Sequence, residues 1–343
     1  MREAPHRIEL ARLPTPLEPL PHLSRAWGGP TLWVKRDDLT GFGLSGNKVR
    51  KLEYHLASAR RAEATTVITC GALQSNHCRT TALACARLGL ACLVLLRTPD
   101  GRPPGEARGN YLLDRLAGAE VRFVTPEQYV KVSELMADEA DRVQAEGGSA
   151  WLIPEGASDW LGMWAFAGAF RELHEQLRLI PGRVGAIWHA ASSGGTTAGL
   201  GWGAEALGRQ VPLVAVSVGD PAATLEEKVR AIWEEAALRS QASAPAGAAI
   251  EYLDDYVGSG YGVAAEQELS VEAEFMRRSG LLVDPTYTGK AVYALRREIE
   301  RGRFQTGDHV VFWHTGGGFA ALAQDWQAVG GTWSRSSWLT GDG

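Results

Sequence analysis

Short β-branched runs alternate with longer amphipathic segments along most of the chain, and this alternation constrains the fold more than any other feature. Candidate strands are Thr66–Cys70, Ala91–Leu96, Val121–Val124, Gly185–His189, Pro212–Ser217 and His309–Trp313. Helical patterns lie between them, near 48–62, 76–89, 108–117, 127–146, 160–179, 195–208, 222–239, 263–279 and 288–301. Gly, Pro or Asp marks most boundaries. Strands separated by helices of this length require crossover connections, so the pattern predicts α/β architecture with mostly parallel sheet. Gln241–Ala249 is rich in Ala, Ser, Pro and Gly and reads as a loop or short linker. No internal repeat is found, and the Gly/Ser/Trp-rich tail after Gly330 is left unassigned.

A chain of 343 residues suggests two domains or one large α/β unit, and its 45% hydrophobic content is enough for a sizeable core. The net charge of -5 gives no electrostatic reason to bind nucleic acid or an anionic membrane. No basic segment leads into an apolar run at the start, and no stretch approaches the ~18 apolar residues of a membrane span. Cys70, Cys78, Cys85 and Cys92 fall within one 23-residue stretch and lack C-x-x-C spacing. Their apolar neighbours suggest reduced, buried thiols, so a soluble cytoplasmic protein is expected.

The chemistry-bearing candidate is Lys48, one of only six lysines among 35 basic residues. It follows the glycine-rich turn Gly41–Gly46 and opens an apolar-periodic segment with Val49, Leu52 and Leu56. Near a helix N-terminus the macrodipole disfavours a cation and eases deprotonation of an amine. A neutral amine can attack an aldehyde; the plain alternative is a solvated lysine in a first turn. Gly41, Gly43 and Gly46 also fit G-x-G-x-x-G, but no acid closes the next strand, as a ribose contact requires. Gly46-Asn47-Lys48-Val49 lacks the Gly-Lys-Ser/Thr order of a P-loop.

Two further strand-to-helix loops could bind an anion. Gly71–His77 carries Gln74, Ser75 and Asn76, and reads either as an anion cradle or as plain capping by Ser75 or Asn76. Ala191–Gly199 sets Gly194 and Gly195 among Ser192, Ser193, Thr196 and Thr197, a richer set of N–H and O–H donors, though a tight turn is the simpler reading. Asp284–Lys290 and His314–Gly318 combine turn residues with hydroxyls, and Tyr261 sits in a glycine-flanked loop. Asp37 and Asp38 read as a solvated turn. The eight histidines show no H-x-x-x-H pair; His77 is a helix cap or site-lining residue, and no metal is expected.

Ser45-Gly46-Asn47-Lys48-x-Arg50-Lys51-Leu52-Glu53, Gln74-Ser75-Asn76-His77 and Asp284-Pro285-x-Tyr287-x-Gly289-Lys290 occur here in that order. With Leu13–Leu17, Trp33–Leu39 and Gly316-Gly317, they make the chain similar to the D-cysteine desulfhydrase and 1-aminocyclopropane-1-carboxylate deaminase family of fold-type II pyridoxal-phosphate enzymes. The resemblance implies two open, mostly parallel three-layer α/β domains, as in the tryptophan synthase β-like fold, with pyridoxal 5'-phosphate between them. The small domain would cover 51–160, and the large one 1–50 with 161–343. It implies that Lys48 holds the cofactor aldehyde covalently, that Lys51, Asn76 and Ser193–Thr197 (including Gly194, Gly195 and Thr196) hold the phosphate, and that Asn47 meets the ring hydroxyl. Ser75 would meet the substrate carboxylate or assist proton movement, Asn76 and His77 would also face the substrate, and Tyr261 and Tyr287 would lie near its Cα and leaving group. A homodimer is implied as well.

Departures from the family pattern bear on the substrate. Ser192 stands where relatives often have glycine, and Gly156–Trp160 replaces a Gly-Gly-Ser-Asn pattern, so that Trp160 could narrow the substrate pocket. The deaminases carry glutamate after the tyrosine and leucine before the late glycines; here Thr288 and Thr315 occupy those places. A hydroxyl beside the cofactor ring nitrogen favours a neutral ring, and a carboxylate favours a protonated one. Expelling hydrosulfide needs less activation than opening a cyclopropane, so β-elimination from D-cysteine is expected. The deaminase and L-cysteate sulfo-lyase activities are alternatives within the family. A nicotinamide-dependent oxidoreductase and a catalytically inactive binding protein are alternatives outside it.

Overall fold

The computed structural model describes residues 4–326. The chain runs through β1 (Leu17–Pro19), α1 (Pro21–Trp27), β2 (Thr31–Arg36), α2 (Asn47–Arg61), β3 (Thr66–Ala72), α3 (Asn76–Leu88), β4 (Ala91–Arg97) and α4 (Gly109–Leu116). It continues with β5 (Glu120–Val124), α5 (Pro126–Tyr129), α6 (Val132–Ala145), β6 (Ala150–Leu152), α7 (Trp160–Gln176), β7 (Val184–Ala191), α8 (Gly195–Ala206) and β8 (Leu213–Ser217). Last come α9 (Ala222–Ser240), β9 (Ile250–Leu253), α10 (Glu266–Ser279), α11 (Thr288–Glu300), β10 (His309–His314) and α12 (Gly318–Ala321). The unassigned tail after Gly330 lies outside the described residues.

These strands form two sheets, ordered β1-β2-β10-β7-β8-β9 and β5-β4-β3-β6. Every pairing is parallel except β1 with β2. Every residue of β10 is buried, as expected for a central strand covered on both faces. One face of the larger sheet packs against α1, α10 and α11 through Leu23, Phe275, Val292 and Leu295. The other packs against α7, α8 and α9 through Phe166, Phe170, Leu200 and Val229. Each such side chain, fully buried, contributes roughly 1.5–3 kcal/mol. The smaller sheet is likewise sandwiched, with α2, α3 and α4 on one face and α6 on the other.

All six expected strands are present, and four more appear. β1, β6 and β9 are only three or four residues long, too short to show a period. β2 hides a lysine in its core: Lys35 is fully buried and donates to Glu172, to the Thr15 carbonyl (2.6 Å) and to Gln176 (2.7 Å). The single helix expected over 127–146 is two, because Tyr129 turns into the core while Val130 faces solvent and Lys131 leaves helical geometry. Asp37 is not a solvated turn residue. It is fully buried and accepts two hydrogen bonds from Arg50, at 2.8 and 2.9 Å, while Arg50 also reaches Glu172 at 3.0 Å. That buried network fastens α2 to β2 and α7. The four cysteines are free and buried. Among the described residues no helix is long and apolar enough to cross a membrane, and no group of His, Cys, Asp and Glu could hold a metal ion.

Candidate active site

The carboxyl ends of β3, β6, β7 and β10 converge on one cleft of about 650 Å³, its solvent-filled mouth included. Open α/β sheets offer ligands loop backbone and helix N-termini at this end. The first turn of α2 enters the cleft because Gly46, at φ 92°, lies against the loop after β10. A Cβ on Gly46 would sit 2.8 Å from the Thr315 carbonyl, which accepts from Asn47 N at 2.9 Å. Asn47 and Lys48 therefore line the cleft, and Asn47 Nδ2 donates to Thr196 Oγ1 at 3.1 Å.

Lys48 Nζ lies 3.4 Å from the Gly156 carbonyl. Burial in the cleft lowers its pKa to about 8, against an opposing pull from Glu155. The neutral amine expected from the sequence is thus accessible, chiefly through desolvation. Lys51, one turn on and fully buried, donates to the Gly156 carbonyl at 3.2 Å and to Ser158 Oγ at 2.9 Å. Burial, then the charge of Lys48, holds its pKa well below the ordinary value. Two adjacent amines with neutral hydrogen-bond partners favour an anion between them and the loop opposite.

That loop follows β7. Ser192, Ser193, Gly194 and Thr196 line the cleft, and Ser193 Oγ meets Ser158 Oγ at 2.7 Å. Gly195 opens α8, and a Cβ there would come within 2.7 Å of both Lys51 Nζ and Ser158 Oγ, so only glycine leaves this cradle open. Thr197 points away, with its hydroxyl 2.9 Å from His189 Nε2. From the smaller sheet, Ser75 caps α3 by accepting from Cys78 N at 3.1 Å, so the capping role is real, and it lines the cleft with Asn76 and His77. Asn76 accepts from Asn110 Nδ2 at 2.9 Å. His77 contacts Thr69 Oγ1 at 2.7 Å, and burial, then the charge of Lys48, keeps it neutral.

Tyr287 and Thr315 complete the wall. The Tyr287 hydroxyl touches that of Tyr261, whose ring stands edge-on at 5.7 Å, and burial raises the pKa of both phenols. Besides Thr197, two expected site residues lie elsewhere. Thr288 is fully buried, and its hydroxyl donates to Asp284 (2.9 Å) and to the Gly316 carbonyl (3.3 Å), behind the wall. Trp160 lines a separate surface cavity beside His55, under the guanidinium of Arg239 at 5.0 Å. Asp159 caps α7 by accepting from Gly162 N, and the chain turns there, carrying Trp160 away from the cleft that Gly156 borders. The glycines of Gly41–Gly46 serve a structural loop, because the carbonyls of Gly43 and Ser45 accept from Arg79.

Residues 8–316 match the family described as pyridoxal-phosphate dependent enzymes. The chain belongs to that family. A Thermotoga maritima protein with the provisional name 1-aminocyclopropane-1-carboxylate deaminase is 39% identical over 327 residues, which is 94% of this chain and 100% of that protein. A D-cysteine desulfhydrase of Salmonella paratyphi A is 37% identical over 321 residues, covering 92% of this chain and 95% of its own. The crystal structure of an ACC deaminase homologue matches with a TM-score of 0.85 at 32% identity, covering 95% of this chain and 96% of that one. This pyridoxal-phosphate-dependent enzyme is therefore a fold-type II lyase of the ACC deaminase and D-cysteine desulfhydrase family.

The residues present fit the cofactor of such an enzyme. The Gly195 cradle, with Lys51, Ser158, Ser193 and the N-terminus of α8, suits a phosphate. Lys48 suits an aldehyde carbon, and Asn47 a ring oxygen. Sequence reasoning missed Ser158 as a partner of that cradle, and it missed Glu155, which lines the same cleft. The signal for Glu155 was its place after Pro154 and before Gly156, but β6 is too short to reveal a strand end there.

Proposed function

We propose that this enzyme eliminates the β-substituent from a small amino acid, with D-cysteine its favoured substrate and pyruvate, hydrogen sulfide and ammonia its products. The observation that carries this reading is the wall around Thr315. A hydroxyl-bearing residue lines the cleft there, and the Thr288 hydroxyl behind it is committed to Asp284 and the Gly316 carbonyl. No acidic side chain of the 288 and 315 positions is available to protonate a cofactor ring, which suits the easier elimination over opening a cyclopropane. The relatives' two names, deaminase and desulfhydrase, both remain compatible with the rest of the site.

When bound, pyridoxal phosphate supplies an electron sink for charge developing at the substrate Cα. The chain's own residues do the remaining work. Lys51, Ser193, Gly194, Gly195 and Thr196 anchor the phosphate, and Asn47 orients the ring. Ser75 and the N-terminus of α3 bind the substrate carboxylate, where backbone N–H groups and the helix dipole favour an anion. Lys48, with its lowered pKa, takes the Cα proton; Tyr287 is the second candidate for that step. The paired hydroxyls of Tyr261 and Tyr287 can pass a proton to a departing thiolate. We further place the enzyme in the cytoplasm as a homodimer built of a small unit, 51–160, and a large unit of 1–50 with 161–343. Sedimentation showing strict monomer at micromolar concentration removes the dimer.

Product assays test the activity. Turnover of D-cysteine, L-cysteine, cysteate or 3-chloro-D-alanine is read as pyruvate, and turnover of the cyclopropane amino acid as 2-oxobutyrate. D-cysteine should give the highest kcat/KM and the cyclopropane negligible turnover. Efficient 2-oxobutyrate release by the wild-type enzyme overturns the assignment in favour of the deaminase.

A further inference from the structure

We propose that Glu155 sets the charge of the β-substituent that this enzyme accepts, rejecting anionic groups such as a sulfonate and admitting neutral or cationic ones. The inference rests on the elimination reading above and deepens it. Glu155 lies just beyond β6 and begins a short turn whose next residue, Gly156, offers its carbonyl to both Lys48 and Lys51. It lines the same cleft as Lys48, Ser75 and Tyr287. Its side chain is exposed there and makes no hydrogen bond or ion pair with any described residue. An unpaired carboxylate at a cleft wall has its charge available to whatever enters.

Its position within the cleft narrows that role. Glu155 shares the cleft wall with Lys48 and Tyr287, the residues assigned to Cα and the leaving group, and among the described residues it makes no hydrogen bond or ion pair to the phosphate cradle of Lys51, Ser158, Ser193 and Gly195. Its field favours the charged form of Lys48 and the neutral form of both phenols, and it also reaches Tyr129, Cys70 and Cys78 on the side of the smaller sheet. With the phosphate held elsewhere, Glu155 is assigned to the side of Cα and the leaving group. The substrate carboxylate is assigned to Ser75 and α3, so the group that Glu155 meets is the β-substituent. Like charges a few ångströms apart in such a cleft repel by enough to change affinity tenfold or more, even after partial solvent screening.

The test uses the cofactor-loaded wild-type enzyme and Glu155→Gln. Equilibrium binding of aspartate, asparagine and 2,3-diaminopropionate, each as both enantiomers, is read from the change in visible absorbance of the bound cofactor. Aspartate and asparagine have nearly the same shape and differ in β-group charge. Wild type should bind asparagine at least roughly tenfold more tightly than aspartate. Glu155→Gln should bring that ratio close to one and weaken 2,3-diaminopropionate by a similar factor. Cysteate turnover relative to cysteine should rise in the same variant. An unchanged asparagine-to-aspartate ratio overturns the inference, including the case where Glu155 merely tunes Lys48 and shifts a pH profile. Should the variant lose its cofactor, the wild-type ratio measured at low and high salt decides, since a charge-based preference must shrink with ionic strength. Charge selection without any pyruvate release would leave this inference standing and sink the elimination reading. Pyruvate release with an unaltered ratio would do the reverse.

Discussion

Helix α2 carries three basic side chains in its first turns, and they face two different sets of partners. Arg50 lies among Asp37, Glu172 and Thr15, donating to all three, and it shares Glu172 with the buried Lys35. Lys48 and Lys51 face the cleft, where, among the described residues, carbonyls and hydroxyls are their only hydrogen-bond partners. The first arrangement is complete without a ligand; the second is not. A buried charge whose partners are all supplied by the chain holds the architecture together, and one left with neutral partners marks where an anion or an electrophile is to come.

The comparison predicts opposite phenotypes on one helix, and the largest concerns Lys48. Lys48→Ala should reduce turnover by several decades, because covalent attachment and proton transfer at Cα are lost together. Urea unfolding of the apo protein should change by less than about 1 kcal/mol, since no ion pair is broken. Near-wild-type turnover in this variant would refute the role given to Lys48.

Next is the opposite face. Arg50→Met leaves Asp37 buried without its partner and should cost about 3–5 kcal/mol in urea unfolding. Glu172 reports the same network by pH. Burial alone would raise its pKa, but the hydrogen bonds and charge of Arg50, then Lys35, bring it down to about 2. A depressed carboxyl stabilises the fold above its unfolded value near 4.5, and that contribution is lost as pH falls toward 2. Glu172→Gln should therefore flatten the stability curve across that acid window. A variant with an unaltered curve would show that the network contributes no linkage.

How much of this contrast the sequence could reveal depends on range. The strands of both sheet centres were legible because Val67–Cys70 and His309–Trp313 are apolar runs bounded by turn residues. The family motifs pointed to Lys48, Asn47 and Ser75, which do line one cleft. Asp37 was misread because its partners are distant in sequence, Arg50 being 13 residues on and Thr15 22 residues back. Trp160 and Thr288 were misplaced for a related reason. A motif fixes the neighbourhood of a residue, but a cap or turn decides which way its side chain points. Asp159 turns Trp160 outward, and Asp284 claims the Thr288 hydroxyl.

A smaller effect is expected at Lys51. Lys51→Ala removes a buried amine held by neutral groups, so the apo fold should lose little stability. Cofactor dissociation should instead become faster by roughly ten- to a hundredfold, the scale of one charge-assisted phosphate contact. Dialysis followed by absorbance measures it. Unchanged retention together with a less stable fold would move Lys51 into the same class as Arg50.

The smallest effect, and the finest test of the comparison, is the pH at which the apo enzyme captures its cofactor. Attack on the aldehyde needs the neutral amine of Lys48. Burial lowers that amine's pKa to about 8, and the neutral form is populated above that value. The capture rate should rise with pH, reach half its plateau near 8 and then level. An ordinary lysine would keep gaining up to its usual value of 10.5. Glu155 opposes the shift by favouring the charged amine, so Glu155→Gln should move the midpoint to lower pH. A lysine paired like Arg50 would behave the other way, with its proton held more tightly by its partners. A wild-type profile still climbing at pH values around ten, or a Glu155→Gln midpoint displaced upward, would mean that Lys48 is not set apart from its helix neighbour by desolvation.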